Sequence, residues 1–364
     1  MVANTASAWA AQNQLYLLAA LGDVRSALQR HMVAPKDTAL PVTSADLELP
    51  RGQLPAIQTL CQMFGLSPFE RDLLLLCAGV ELDSSFAALC AEAHNDHQRP
   101  YPTFSLALAT LPGAHWDAIT PIGTLRRQRL IEVGPGAALT LSPLRISEQV
   151  LHFLTGVQEL DERLQRMLEP VAPAAELAPS QRALAEELAA AWERARGGLL
   201  PVVQLCGAGH EDKAAIASAA CALLGLRLHA LSGARITTGA AELDMLLDLW
   251  ARDAVLLGSA LLLDCDELDV TEIERTHAIE WMIEQSRGAL IVTVRERRPL
   301  RRATVALDVY RPQLDEQRAI WRSSLAEAGA LLNGQIDILA AQFSLDAMAI
   351  RAVSAEALRR SPLA

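Results

Sequence analysis

The stretch LPVVQLCGAGHEDKAAIASAACALLG, residues 200–225, constrains the fold more than any other. A short apolar run bounded by glycine and followed by a small-residue helix reads as strand, loop and helix. The spacing is that of a phosphate-binding loop: Gly207, four residues, then Asp212 and Lys213, with Gly209 inside the turn. Two residue types depart from a working loop. The position before the lysine normally lacks a Cβ so that backbone N–H groups can wrap a phosphate, and Asp212 adds both bulk and charge there. The position after it normally supplies a hydroxyl for Mg²⁺, and Ala214 has none. Glu211 and Asp212 would also face a polyphosphate, each repulsion at ~4 Å costing about 1 kcal/mol in water and about 4 kcal/mol at an effective dielectric near 20.

These acids also have a purely structural reading. Carboxylates at a helix N-terminus accept orphan N–H groups and suit the helix dipole, worth ~0.5–2 kcal/mol. Of the 32 basic residues only Lys36 and Lys213 are lysines, so a lysine at this position speaks for descent from a phosphate-binding loop. Two outcomes stay open: a structural module that hydrolyses nothing, or weak nucleotide binding without efficient turnover.

From Ser180 onward helices alternate with buried strands, the sign of a parallel α/β sheet. SALLLDCDELD is a second apolar strand, ending in Asp264, Asp266 and Glu267. GALIVTV is a third and ends near Thr293; VRERRPLRR follows, with Arg295, Arg297, Arg298, Arg301 and Arg302.

The first half reads as helices punctuated by Pro and Gly. Ser67 caps a helix with Pro68 in its first turn and Glu70 three residues on, a capping-box start. In TPIGTLRRQRLIEVGPGAALTLSPLRISEQVLHFL, a short helix from Thr120-Pro121, a strand LIEV, a turn GPGAA, a return strand LTL and a helix capped by Ser147 give the order of a winged helix. Arg126, Arg127 and Arg129 lie on the candidate groove helix, where a solvated or protein-docking face competes with DNA contact. Three prolines in EPVAPAAELAPSQ mark a linker. A net charge of −11 counts against general nucleic-acid binding. The six cysteines form no CxxC pair, so no metal site is inferred and a reducing cytoplasm fits. No apolar run approaches the roughly 18 residues of a membrane span.

Residues 180–364 resemble an AAA+ ATPase module, with YRPQLDEQRAIWRSSL and FSLDAMAIRAVSAEAL similar to its helical lid. With LSPFERDLLLLCAGVELDSSFAALCAEAH, TPIGTLRRQRLIEV and LSPLRISEQVLHFLTG ahead of it, the chain resembles the winged-helix AAA+ ATPases associated with phage-tail-like contractile injection systems. The resemblance implies a multidomain fold: a mainly helical N-terminal region over 1–168 with a winged helix at about 105–155, and a Pro-rich linker at 169–181. An α/β AAA+-like domain over 182–310 and a helical lid over 311–364 complete it. It further implies that Gly207, Gly209, Asp212, Lys213 and Ala214 form a degenerate Walker A loop. Asp264, Asp266 and Glu267 become a Walker B-like cluster, possible only as an inactive one if the loop is dead; Thr293 becomes a sensor-like residue, and Arg297 and Arg298 become candidates to reach a neighbouring subunit. ATP and Mg belong to the family, with neither expected on this segment. Members tend to carry a decayed first ATPase module before an intact second one, so a chain ending in ALRRSPLA looks like an N-terminal portion or a shortened member. The expected role is assembly or remodelling of an injection system, through ring-type self-association and docking to a system component, without DNA or membrane. The alternative is a DNA-binding regulator or loader of the same layout.

Overall fold

The computed structural model describes residues 2–32, 54–174, 176–195, 197–268, 271–330, 334–343 and 345–360. Lys36 and the last four residues of ALRRSPLA lie outside them. The chain divides into two units, one made of 1–161 with 248–257 and the other of 162–247 with 258–364.

The first unit is mainly helical. Its elements are α1 (Val2–Met32), α2 (Ala56–Phe64), α3 (Pro68–Leu82), α4 (Ser85–Ala93), α5 (Phe104–Thr110), α6 (Thr124–Arg127), β1 (Ile131–Val133), β2 (Leu144–Ile146) and α7 (Glu148–Thr155). Helix α3 begins as its sequence dictates: Ser67 Oγ accepts the Glu70 N–H while the Glu70 carboxylate accepts the Ser67 N–H. Ser67→Ala should lower stability by about 1 kcal/mol, measured as a shift of the urea midpoint. Leu73, Leu74, Leu75 and Leu76 are all buried, so α3 runs through the middle of the core with no solvent face in that turn.

The winged helix departs from its sequence reading in four details. The short helix starts at Thr124, because Thr120 and Pro121 are taken up in a turn closed by the Gly123 N–H on Thr120 O. Arg129 falls beyond its end, at φ +48. LTL is a 3-10 turn, and the strand antiparallel to β1 is Leu144–Ile146, with Glu132 opposite Arg145. Ser147 precedes α7 without capping it; its hydroxyl accepts Arg252 Nη1 at 2.7 Å. That arginine comes from the end of a later helix, residues 248–257, which also adds Leu256 and Leu257 to this unit's core.

The second unit holds α8 (Glu162–Gln165), β3 (Glu169–Pro170), α9 (Pro179–Arg194), β4 (Val202–Cys206), α10 (His210–Leu223), β5 (Arg227–Ser232), α11 (Ala240–Leu257, its second half counted with the first unit), β6 (Ser259–Asp264), α12 (Ile273–Gln285), β7 (Leu290–Val294) and β8 (Thr304–Asp308). A six-stranded sheet runs in the order β3-β5-β6-β7-β4-β8, parallel except for β3. Strands β4 and β7 are buried along their whole length, which is why their sequences are apolar apart from Gln204 and Thr293 rather than alternating. Three helices follow: α13 (Leu314–Ala330), α14 (Gln335–Gln342) and α15 (Ala347–Arg360).

The segment read as a linker, 169–181, contains β3 and the first turn of α9. Ala178 is buried in one cluster with Ile320, Trp321, Leu325 and Ile350 of the C-terminal helices.

Candidate functional site

The strand order places the site. β7 lies between β6 and β4, so Thr293 pairs with Leu205 on one side and with Asp264 on the other. The loop after β4 and the acids after β6 therefore meet at the carboxyl ends of the parallel strands, where open α/β sheets bind ligands. An open cavity of about 590 Å³ lies beside the loop, lined by Gly207, Gly209, Asp212, Arg295, Tyr310 and Arg311, among others, and not by Lys213 or the acids after β6.

Gly207 has φ +139, and a Cβ on it would stand 2.3 Å from Val309 O, so the turn out of β4 admits glycine alone. Gly209 precedes α10 without a side-chain cap, leaving His210, Glu211 and Asp212 in the first turn.

Lys213 does not point at open space. It is 0% exposed, and its ammonium donates to Gly207 O at 2.7 Å, to Val294 O at 3.1 Å and to the Asp266 carboxylate. An ammonium has three donors, and all three are used within the chain. Asp212 is 2% exposed. Burial, and after it the nearby Asp346 carboxylate, push its carboxyl up to about 6; the Gln181 amide and the Ala347 N–H oppose this. The Gln181 contact is poor, since Gln181 Nε2 and Asp212 Oδ1 both remain without a hydrogen-bond partner. Ala214 is half-buried and brings no oxygen to the site.

Asp264 Oδ1 accepts Thr293 Oγ1 at 2.8 Å and the Asp266 N–H at 3.1 Å. His210 Nδ1 stands 3.2 Å from Asp266 Oδ2 and 3.5 Å from Asp264 Oδ2. Among the described residues these three form the one cluster that could offer donor atoms to a metal ion, and Lys213 already occupies the other Asp266 oxygen. Glu267 is exposed.

The arginines split up. Arg297 forms a fork with Asp308, at 3.1 and 2.7 Å, and this hydrogen bonding holds the Asp308 carboxyl below its usual range. Arg298 is pinned by its backbone, its N–H donating to Gln204 Oε1 and its carbonyl accepting Gln204 Nε2. Arg302 donates to the carbonyls of Leu200, Ile283 and Ser286, tying the loop to the strand and helix behind it.

Sequence reasoning missed two arrangements. One is the burial of Asp212 close to Asp346, just ahead of α15. The other, in the first unit, surrounds Arg252, which is 2% exposed and donates to Asp253, Asp161 and Ser147. The second had a faint signal, an Arg-Asp pair inside the otherwise apolar LWARDAVLL.

Comparison with known proteins bears on both halves of the chain. Residues 24–168 match the family model of a winged helix domain, variant, a wider span than the 105–155 read from the sequence. Residues 313–364 match that of the contractile injection system ATPase helical domain. The chain is thus similar to a winged-helix domain over its first half and to the helical domain of contractile injection system ATPases over its last 52 residues. The fold is multidomain, with a mainly helical winged-helix region, then a parallel α/β sheet with a helical lid. No curated protein matches the sequence. Among solved structures, one titled "Structure of Rhizobiales Trip13" is 20% identical over 44% of this chain and 72% of that one, with a TM-score of 0.30. Another, titled "Structural Basis for Katanin Self-Assembly", is 13% identical over 57% and 81%, with a TM-score of 0.38. Among the described residues no helix is long and apolar enough to cross a membrane.

Proposed function

We propose that this chain serves a contractile injection system ATPase as a structural AAA+-type module, acting in assembly or remodelling through self-association and partner docking, and that it neither binds Mg·ATP usefully nor hydrolyses it. The observation that carries the reading is the state of Lys213, buried with all three donors spent on Gly207, Val294 and Asp266. A phosphate would have to recruit that ammonium from an ion pair and two carbonyls and displace the buried Asp212 carboxylate as well. With no hydroxyl at Ala214 and Asp266 Oδ1 taken by Lys213, the loop side offers Asp264 only the His210 imidazole, where Mg²⁺ prefers oxygen ligands.

The DNA-binding alternative has less support. Arg126 donates to Ile119 O and Arg129 pairs with Asp248, which leaves Arg127 as the exposed one of the three candidate groove residues. In the arginine loop the Arg297 and Arg302 side chains are engaged inside their own unit, so Arg297 could reach a neighbouring subunit only by releasing Asp308.

A steady-state phosphate-release assay should find no turnover above background. The double variant Asp212→Gly, Ala214→Thr, with Lys213 retained, should gain measurable Mg·ATP binding because the acids and Thr293 still stand opposite the loop. Turnover by the unaltered chain would end the proposal.

A further inference from the structure

The start of α10 and the end of β6 meet in one small cluster. His210 opens α10, Asp264 ends β6 and Asp266 follows two residues later. His210 Nδ1 stands 3.2 Å from Asp266 Oδ2 and 3.5 Å from Asp264 Oδ2, and one donor atom from each of the three residues lies within 4.8 Å of the others. The far oxygens are already held. Asp264 Oδ1 accepts the Thr293 hydroxyl at 2.8 Å and the Asp266 N–H at 3.1 Å, and Asp266 Oδ1 accepts the Lys213 ammonium. Each carboxylate is therefore fixed by one oxygen and turns the other toward the imidazole, which is how outer partners orient the ligands of a metal ion.

Charge and valence leave the cluster short of a cation. Lys213 neutralises Asp266, but among the described residues no lysine or arginine pairs with Asp264. A single proton on Nδ1 bonds well to only one of two oxygens standing 3.2 and 3.5 Å away. A divalent ion serves both. Metal–ligand bonds of about 2.0–2.1 Å put tetrahedral neighbours about 3.3–3.4 Å apart. The two separations at His210 already have that size. Mg²⁺ fits poorly, since it favours oxygen ligands in an octahedron, whereas an imidazole nitrogen beside carboxylate oxygens suits Zn²⁺ and its first-row neighbours.

We propose that His210, Asp264 and Asp266 bind a divalent transition-metal ion, Zn²⁺ in the first place, with no nucleotide required. His210 Nδ1 and the two Oδ2 atoms supply three ligands, and the exposed imidazole leaves the remaining position open to water. The ion ties the start of α10 to the end of β6. This goes beyond the reading of the loop as free of nucleotide, because it gives the acids after β6 a ligand that needs no phosphate.

Calorimetric titration of the full chain with Zn²⁺ in a non-chelating buffer tests this, and leaving nucleotide out separates it from any question of ATP affinity. One equivalent should bind saturably and resist about a hundredfold excess of Mg²⁺. His210→Ala alters an exposed side chain, so the variant should fold normally while Zn²⁺ affinity falls by more than about a hundredfold; Asp264→Asn should lose a similar amount. Thr293→Val, which releases the Asp264 carboxylate without touching the ion, should weaken binding by about ten- to hundredfold. Co²⁺ in place of Zn²⁺ should give a visible absorption band that His210→Ala abolishes. The absence of saturable Zn²⁺ binding would overturn the proposal. An equivalent that His210→Ala leaves at full affinity would do so as well, by placing the ion on other residues. Displacement of Zn²⁺ by an equal concentration of Mg²⁺ would contradict it too, by showing a site made of oxygens alone.

Discussion

Arg252→Ala should destabilise the winged-helix unit by about 3–5 kcal/mol, the cost of leaving buried ionic partners uncompensated. Arg252 donates to Asp253 Oδ1 at 2.7 Å, Asp161 Oδ2 at 2.9 Å and Ser147 Oγ at 2.7 Å, while Asp253 Oδ2 accepts the Asp161 N–H at 2.7 Å. Asp253 is fully buried, and burial raises its carboxyl above the usual range although Arg252 pulls it down. Without the guanidinium that rise should grow. A carboxyl whose folded-state pKa exceeds its unfolded one contributes a stability that is lost as pH rises, so the penalty in Arg252→Ala should be larger at pH 8 than at pH 5. Urea unfolding at the two pH values measures it. A loss below about 1 kcal/mol at both would mean that the network is hydrated and adds no more than a surface pair.

Asp212→Asn should do the opposite and raise stability at neutral pH. The wild-type carboxyl is pushed up to about 6. Below the unfolded pKa both states carry the proton and nothing is lost. Stability falls as pH rises between the unfolded value and about 6, and stays reduced above that. The asparagine never ionises and escapes this loss, so the two proteins should be similar near pH 4 and differ by about 2–3 kcal/mol at pH 7.5. The difference between their urea curves is the quantity to follow, because other carboxyls titrate equally in both. An asparagine variant that is less stable at pH 7.5 would show that the charge contributes more than its burial costs.

The local parts of this account were legible in the sequence. Buried parallel strands need continuous apolar runs, so β4, β6 and β7 stood out, together with the residues at their carboxyl ends. The Ser67 capping box spans four residues and carries its own geometry. What escaped depends on groups far apart in the chain. A lysine after a glycine-rich turn reads the same whether it faces solvent or folds back; only the strand order brings Asp266 and Val294 O within its reach. Arg252 reads as the polar side of an amphipathic helix until Asp161 and Ser147 are placed against it. Asp212 reads as a helix-terminal acid, but its burial beside Asp346 follows from tertiary packing that the sequence does not carry. The misplacement of LTL has a simpler cause, since a three-residue alternation suits a strand and a 3-10 turn equally and the ladder to Ile131–Val133 falls to Leu144–Ile146.

The central claim is that Lys213 is a structural residue whose charge is used up inside the protein. Calorimetric titration of the unaltered chain with Mg·ATP, alongside Lys213→Ala, tests it most directly. The account predicts no binding tighter than about 1 mM, a free energy near −4 kcal/mol, in either protein. Micromolar binding by the unaltered chain that disappears in Lys213→Ala would contradict it and make the loop a live nucleotide sensor.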